Sequence, residues 1–108
     1  NNLIIKDSLF VKDKGFYTKI NFCDILYLKS AHVYIEIFLK SNQKIVVRTS
    51  LNDVLDKLND CFVRIHRGFI INTNFLSQIT NTSVKILDKE IPIGKKYKED
   101  IVKMINII

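Results

Sequence analysis

A basic cluster between two apolar runs is the feature of this sequence that most restricts how the chain folds. In the segment 62–72, FVRIHRGFIIN, apolar and basic side chains alternate from position 63 to position 66, whereas residues 69–71 are continuously apolar. Alternation places successive side chains on opposite faces of a strand, and a short continuous apolar run is typical of a fully buried strand. Gly68 permits a turn between them. The segment therefore predicts two strands that present His66 and Arg67 at their junction.

The charge of the chain favours an anionic partner. The sequence has 17 Lys and Arg against 11 Asp and Glu, a net charge of +6. No acidic residue lies between Cys61 and Leu87, and a second basic cluster runs from Lys95 to Lys98. Such an excess favours nucleic acid, an anionic membrane or an acidic protein surface. An Arg and a His in a strand are more often surface or ion-paired residues than ligands, so the cluster alone does not establish binding.

Short β-branched and aromatic runs between turn residues predict a mostly β domain. Residues 1–8 are interpreted as a lead-in and residues 9–108 as one domain, which is an ordinary domain length. Lys29–His32 is expected to interrupt the sheet as a loop, and Pro92 to confine its strand to a sheet edge or a bulge. Besides the two strands within 62–72, the predicted strands are Leu9–Lys12, Phe16–Ile20, Ile25–Leu28, Val33–Leu39, Lys44–Arg48, Val84–Leu87 and Ile91–Ile93.

Two short helices complete the prediction. The first opens at Thr49–Ser50, either of which can cap it, and its apolar stripe runs from Leu51 to Leu58 at helical spacing. The second follows Lys95 and carries an apolar face made of Tyr97, Ile101, Met104, Ile105 and Ile108. That face is expected to dock on its own domain rather than on a membrane.

The sequence offers little for catalysis or metal binding. His32 and His66 are the only histidines and Cys23 and Cys61 the only cysteines, and no pair has the spacing of metal ligands. No nucleophile, zinc-protease or phosphate-loop motif is present. We therefore predict that the chain is not an enzyme and has no cofactor. The two cysteines are expected to be buried free thiols, which favours a reducing, cytoplasmic setting.

Three basic tips remain, Lys29–His32, His66–Gly68 and Gly94–Lys96, all at the ends of predicted strands. Lys and Arg can read guanine in the major groove, and a serine hydroxyl or loop amides can hold phosphates. Most of the phenylalanines have core-like spacing, so a stacking platform for single strands is less suitable than duplex DNA. The alternative is a basic protein-interaction domain. Basic residues gathered on one rim would favour DNA, and an even distribution would not.

The pieces of this pattern resemble those of LytTR-type DNA-binding domains. The segment 62–72 resembles the family's central signature, and the helix after Ser50 resembles its short helix. Ile25–Leu28 with Val33–Ile35 resembles its earlier strand pair, and Ile91–Tyr97 resembles its closing motif. The resemblance covers nearly the whole chain, from about Phe10 to Val102.

The resemblance implies an elongated stack of short antiparallel β-sheets with few helices. Such domains follow a receiver domain in bacterial response regulators, which a sensor kinase controls. They bind promoter DNA in pairs on direct repeats, with loops in successive major grooves. By position, the resemblance implies base contacts from His32, Arg67 and Lys95, and backbone contacts from Lys29, Ser30, His66, Gly68, Lys96 and Lys98.

The chain departs from the family pattern at three positions. Gly68 and Gly94 stand where the family usually has serine, so two hydroxyl groups are missing. Lys95 stands where arginine is common, and lysine cannot make the bidentate contact that arginine makes with guanine. The departures predict a binder that relies more on phosphate charge than its relatives do.

Overall fold

Three antiparallel sheets form the fold in the computed structural model, which describes residues 3–108. These residues span 48 × 30 × 25 Å, so the molecule is elongated as expected. Of the predicted lead-in, residues 1–2 lie outside the described part. The strands are β1 (Ser8–Asp13), β2 (Phe16–Asn21), β3 (Ile25–Ala31), β4 (Tyr34–Leu39), β5 (Lys44–Val47), β6 (Phe62–His66), β7 (Phe69–Asn72), β8 (Leu76–Ile79), β9 (Ser83–Ile86) and β10 (Lys89–Pro92), and the helices are α1 (Leu51–Leu55) and α2 (Lys95–Lys103).

The central sheet has the strand order β5-β4-β3-β7-β6 and lies between the two smaller sheets. The β1–β2 hairpin and α1 pack on one of its faces, and the β8–β9–β10 sheet and α2 pack on the other. The continuously apolar run 69–71 follows from this arrangement. Ile70 belongs to the first core and Ile71 to the second, and both are almost fully buried. The expected stack of short sheets is therefore confirmed.

Aromatic packing supports the second core. The ring of Tyr27 on β3 stacks on Phe38 of β4 at a centroid distance of 4.5 Å. Burial raises the pKa of the Tyr27 phenol, and the nearby Glu36 carboxylate raises it further, so the phenol stays neutral at physiological pH. At the edge of the small sheet, β10 pairs only with β9, which confirms the edge position expected for Pro92.

Both helices are shorter than their apolar stripes predict. The Ser50 hydroxyl caps α1 by accepting from the Asp53 amide at 3.1 Å, as expected. The α1 helix ends at Leu55 because the following amides turn back to carbonyls three residues earlier, and this tighter turn still packs Leu58 on the core.

The C-terminal helix also differs from its prediction. It ends at Lys103, where the Met104 amide donates to the Ile101 carbonyl at 3.0 Å. Ile101 is buried, whereas Met104, Ile105 and Ile108 are exposed. The predicted helical apolar face is thus wrong beyond Ile101, because the helix ends at Lys103, before Met104, Ile105 and Ile108.

The cysteines correct another expectation. Both are free, but Cys23 is exposed and Cys61 only half-buried. Their neighbours Phe22 and Phe62 take the buried positions and contact each other edge to face at 5.6 Å. The core uses the aromatic ring of each pair rather than the thiol. Within residues 3–108, no helix is both long and apolar enough to cross a membrane.

Candidate nucleic-acid interface

All five strands of the central sheet have a terminus at one common end. There β3, β5 and β6 finish, and β4 and β7 begin, as the antiparallel register requires. We call this end the basic rim, after the basic side chains that the sequence places at or beside it. They are His32, His66, Arg67, Lys95 and Lys96.

The first tip is smaller than the sequence suggests. Strand β3 continues to Ala31 and pairs with β4 up to Tyr34, so the loop is reduced to His32 and Val33. The expectation that Lys29 and Ser30 lie in a loop is therefore wrong, because both are paired within the sheet. His32 has a backbone φ of 60°, a left-handed conformation that histidine tolerates better than most residues. This backbone turns an exposed imidazole outward at the end of the hairpin.

The second tip is held in shape by Arg64. Its Nε donates to the His66 carbonyl at 3.2 Å, and its Nη2 donates to the Arg67 carbonyl. Its Nη1 donates to the Asn52 side chain at the start of α1. The strand parity that Arg64 shares with Phe62 predicts a structural ion-pair partner. Arg64 does have a structural role, but its partners are carbonyl and amide oxygens rather than a carboxylate. The Arg67 side chain is exposed and makes no hydrogen bond or ion pair with another described residue.

Within the second tip, His66 has a defined hydrogen-bonding role. Its Nδ1 accepts from the Gly68 amide at 3.0 Å, which in neutral imidazole leaves the proton on Nε2. The ring also contacts Phe69 edge to face at 5.6 Å. Nε2 is thus the available donor, and the Gly68 amide is already occupied.

The third tip is attached to the second. The Gly94 amide donates to the Ile65 carbonyl at 2.8 Å, and a Cβ placed on Gly94 would lie 3.7 Å from the His66 Cα. Gly94 precedes α2, whose first two residues are the exposed Lys95 and Lys96. The third tip therefore lies directly beside the second.

A second backbone hydrogen bond connects the first tip to the second tip. The Ser30 amide donates to the Gly68 carbonyl at 2.9 Å. The structure thus brings the three predicted tips together. Lys98 is the exception, because its Nζ donates to Asn81 Oδ1 at 3.1 Å, in the turn between β8 and β9.

The two glycine departures have different steric settings. A Cβ at Gly68 would meet no atom closer than His66 Nδ1, at 3.5 Å. A Cβ at Gly94 would lie 2.9 Å from Cδ2 of Tyr97, so the ring would have to move. Glycine is therefore dispensable at the first position and matched to the Tyr97 ring at the second.

The cations of the basic rim are not neutralised within the domain. The two ion pairs found among residues 3–108 are Lys40–Asp24 at 3.4 Å and Lys44–Glu36 at 3.2 Å. Neither includes a residue of the basic rim, and Asp24 precedes β3 at the opposite end of the sheet. The positive charge at the basic rim therefore remains available to an anionic partner.

Sequence reasoning missed one basic residue at this end. Arg48 directly follows β5, and its guanidinium carbon lies 5.9 Å from the ring centroid of Tyr34, the first residue of β4. The pairing of Ile35 with Val47 puts Arg48 opposite Tyr34. A turn at Ser41–Gln43, which the sequence suggests, would place Arg48 opposite Glu36, so the observed register had to come from the structure.

Comparison with known proteins identifies the same type of domain. The family model described as the LytTr DNA-binding domain matches residues 16–106. The sensory transduction protein LytT of Bacillus subtilis (strain 168) is 28% identical over 93 residues, which cover 78% of this chain and 37% of LytT.

A solved structure of a LytTr DNA-binding domain from Bacillus cereus has the same fold. It superposes with a TM-score of 0.78 at 20% identity, covering 94% of this chain and 99% of that one. Three observations therefore indicate the same family. They are the order of the sheets, the segment 62–72 at the centre of the basic rim and the family match over residues 16–106. The chain belongs to the LytTR DNA-binding domain family.

Proposed function

We propose that this domain binds duplex promoter DNA sequence-specifically, as the output domain of a two-component response regulator. The observation that carries the proposal is the convergence of three basic tips on one end of the sheet, with two backbone hydrogen bonds joining them. Other exposed lysines, among them Lys40, Lys57 and Lys89, lie away from this rim. The position of the three tips beside one another, rather than the distribution of charge over the whole domain, favours DNA over a general protein-interaction role. The family is a DNA-binding one rather than a catalytic one, which supports the same reading.

In the proposed complex, the first and third tips enter successive major grooves, and the second tip, which lies between them, touches the intervening groove. His32, Arg67 and Lys95 contact bases, because their side chains are exposed and unpaired within the described chain. Lys29, Ser30, His66 and Lys96 contact the phosphate backbone, His66 through Nε2–H.

Two of the proposed backbone contacts carry a cost. A contact through the Gly68 amide requires that amide to leave His66 Nδ1, and a contact through Lys98 uses an ammonium group whose position is already fixed by its hydrogen bond to Asn81. Both residues are therefore proposed as weaker contributors than Lys29 and Lys96. Their loss should change affinity less than the loss of an unpaired cation.

The regulatory setting is also a proposal. The chain spans 37% of the length of LytT, which leaves room in that relative for further domains. We infer a full-length regulator with an N-terminal receiver domain, a cognate sensor kinase and a cytoplasmic location. Two copies would bind direct repeats of the target as a dimer on DNA.

Selection from random duplexes tests the function. The purified domain is mixed with a random-sequence library, and bound duplexes are recovered and sequenced over several rounds. Enrichment of a short motif repeated at about one helical turn, 10–10.5 base pairs, is expected if paired domains read successive grooves. Recovery of sequences no different from the starting library would contradict sequence-specific binding.

Serine substitution at the two glycines is expected to give opposite results. Gly68→Ser fits sterically and adds a hydroxyl within the second tip, so DNA affinity should rise. The free energy of unfolding should change by less than about 0.5 kcal/mol. Gly94→Ser forces Tyr97 to move and should cost about 1–3 kcal/mol of stability. Urea denaturation and fluorescence anisotropy on the selected duplex measure both effects. Equal stability of the two variants would contradict the steric difference.

A further inference from the structure

Arg48 and Tyr34 form a prearranged pair at the basic rim. The guanidinium carbon lies 5.9 Å from the centroid of the Tyr34 ring, within the range of a cation–π contact. Tyr34 directly follows the His32–Val33 turn, so the pair lies beside the first tip. Both side chains are exposed, Tyr34 by 41%.

The hydrogen-bonding capacity of Arg48 is unused within the domain. Its side chain makes no hydrogen bond or ion pair with another residue in the part of the chain that the structure describes. The acidic residue on the same face of β4 is Glu36, whose Oε2 is bonded to Lys44 Nζ at 3.2 Å. The stacked guanidinium therefore keeps all five N–H donors available to a ligand.

We propose that Arg48, stacked on Tyr34, binds a DNA phosphate and extends the interface from the first tip onto the edge strand β5. The inference rests on the proposed function and adds a contact that the family resemblance did not supply. A phosphate is favoured over a base because Arg48 flanks the projecting turn rather than occupying it. When His32 enters a groove, residues beside the turn face the backbone that forms the groove wall.

The chemistry of the pair suits a phosphate. A guanidinium presents a planar fork of donors that matches two phosphate oxygens, and such charge-assisted pairs are stronger than neutral hydrogen bonds. Stacking on Tyr34 restricts the long side chain before binding, so less conformational freedom is lost on contact. Lys29 on β3 has the same strand parity as Tyr27, and it lies across β4 from Arg48 on the same sheet face. The two cations can therefore bracket the first tip.

Arg48→Gln tests the proposal against Lys44→Gln, a matched control on the same strand. Both changes remove one positive charge from an exposed side chain, but Lys44 is paired with Glu36 whereas Arg48 is not. Affinity for a fluorescein-labelled 30-base-pair mixed-sequence duplex is measured by anisotropy across a series of salt concentrations. The loss of one phosphate contact should reduce the magnitude of the slope of log affinity against log salt by about 0.9.

The expected result is an affinity loss of about tenfold for Arg48→Gln at low salt, with the reduced slope, and little change for Lys44→Gln. Arg48→Lys should restore the slope but only part of the affinity, since lysine keeps the charge and loses the fork. Tyr34→Phe should behave as wild type, and Tyr34→Ala should weaken binding without changing the slope.

The outcomes separate this inference from the proposed function. If the wild-type domain binds the duplex and Arg48→Gln has the wild-type slope, the Arg48 contact is wrong and the proposed function stands. Equal losses for Arg48→Gln and Lys44→Gln would show a general charge effect and also overturn the contact. If the wild-type domain does not bind duplex DNA at low salt, both proposals fail.

Discussion

Arg67→Ala is expected to weaken binding to the selected duplex by about 1–3 kcal/mol, a loss of about five- to more than a hundredfold. Arg67 is the exposed residue of the second tip, and Arg64 holds its backbone while its side chain stays free. The variant should also discriminate less between the selected site and a duplex changed at one base pair. Anisotropy titrations on both duplexes measure the two effects.

Lys89→Ala is the matched control for Arg67→Ala, because it removes the same charge from an exposed position. Lys89 starts β10 and precedes the third tip by five residues, so it lies away from the basic rim. Its loss should change affinity for the selected duplex by less than about twofold, because a distant cation makes no contact there. If both variants lost affinity equally on both duplexes, Arg67 would not be a base contact.

Asn72→Asp is expected to destabilise the domain by at least about 3 kcal/mol at neutral pH. Asn72 is only 1% exposed, and its Nδ2 donates to the carbonyls of Phe22 at 3.2 Å and Ile25 at 2.9 Å. Its Oδ1 accepts from the Asn74 amide at 3.0 Å. An aspartate keeps the acceptor but puts a buried negative charge against two carbonyl oxygens. Urea denaturation at pH 7 gives the change in the free energy of unfolding.

Asn74→Asp is the control for this stability effect. Asn74 lies two residues later at an exposed position. Its backbone N–H donates to Asn72 Oδ1, and its side chain makes no hydrogen bond with another described residue. The same chemical change there should cost less than about 0.5 kcal/mol. Similar midpoints for the two aspartate variants would mean that the Asn72 side chain does not hold the β3 and β7 ends together.

Much of the fold could be predicted because its strands are short and their side chains periodic. The run 69–71 is continuously apolar because Ile70 and Ile71 face different cores, and this pattern correctly indicated a buried strand. The Ser50 cap was also visible, since its hydroxyl needs only a backbone amide three residues later. Local chemistry therefore specified these elements.

The rest depends on pairing between distant segments. Lys29 and Ser30 have loop-like composition, but pairing with Glu36 and Ile35 keeps them in the sheet. The C-terminal apolar stripe continues to Ile108, yet the helix stops at Lys103. The sequence alone does not show how many residues of an apolar stripe will be helical and packed on the rest of the domain. The helix end therefore had to come from the structure.

In the candidate site, too, some features could be predicted from local sequence and others depend on contacts between distant segments. His66 and Arg67 could be recognised from the central segment, whereas the hydrogen bonds that join Ser30 to Gly68 and Gly94 to Ile65 involve backbone atoms that carry no sequence signal. Arg48 was missed because it ends an otherwise ordinary strand and gains its role only from its position opposite Tyr34. The side chains were predictable, but their convergence was not.

Mapping the bound surface by NMR tests the central claim most directly. Amide shifts of the labelled domain are followed while the selected duplex is added at moderate salt. The largest changes are expected along the basic rim, at residues 29–34, 47–48, 66–68 and 94–96, with little change in the Lys40–Gln43 turn at the opposite end of the sheet. Changes centred on that turn, or spread evenly over all three sheets, would contradict a DNA interface at the basic rim.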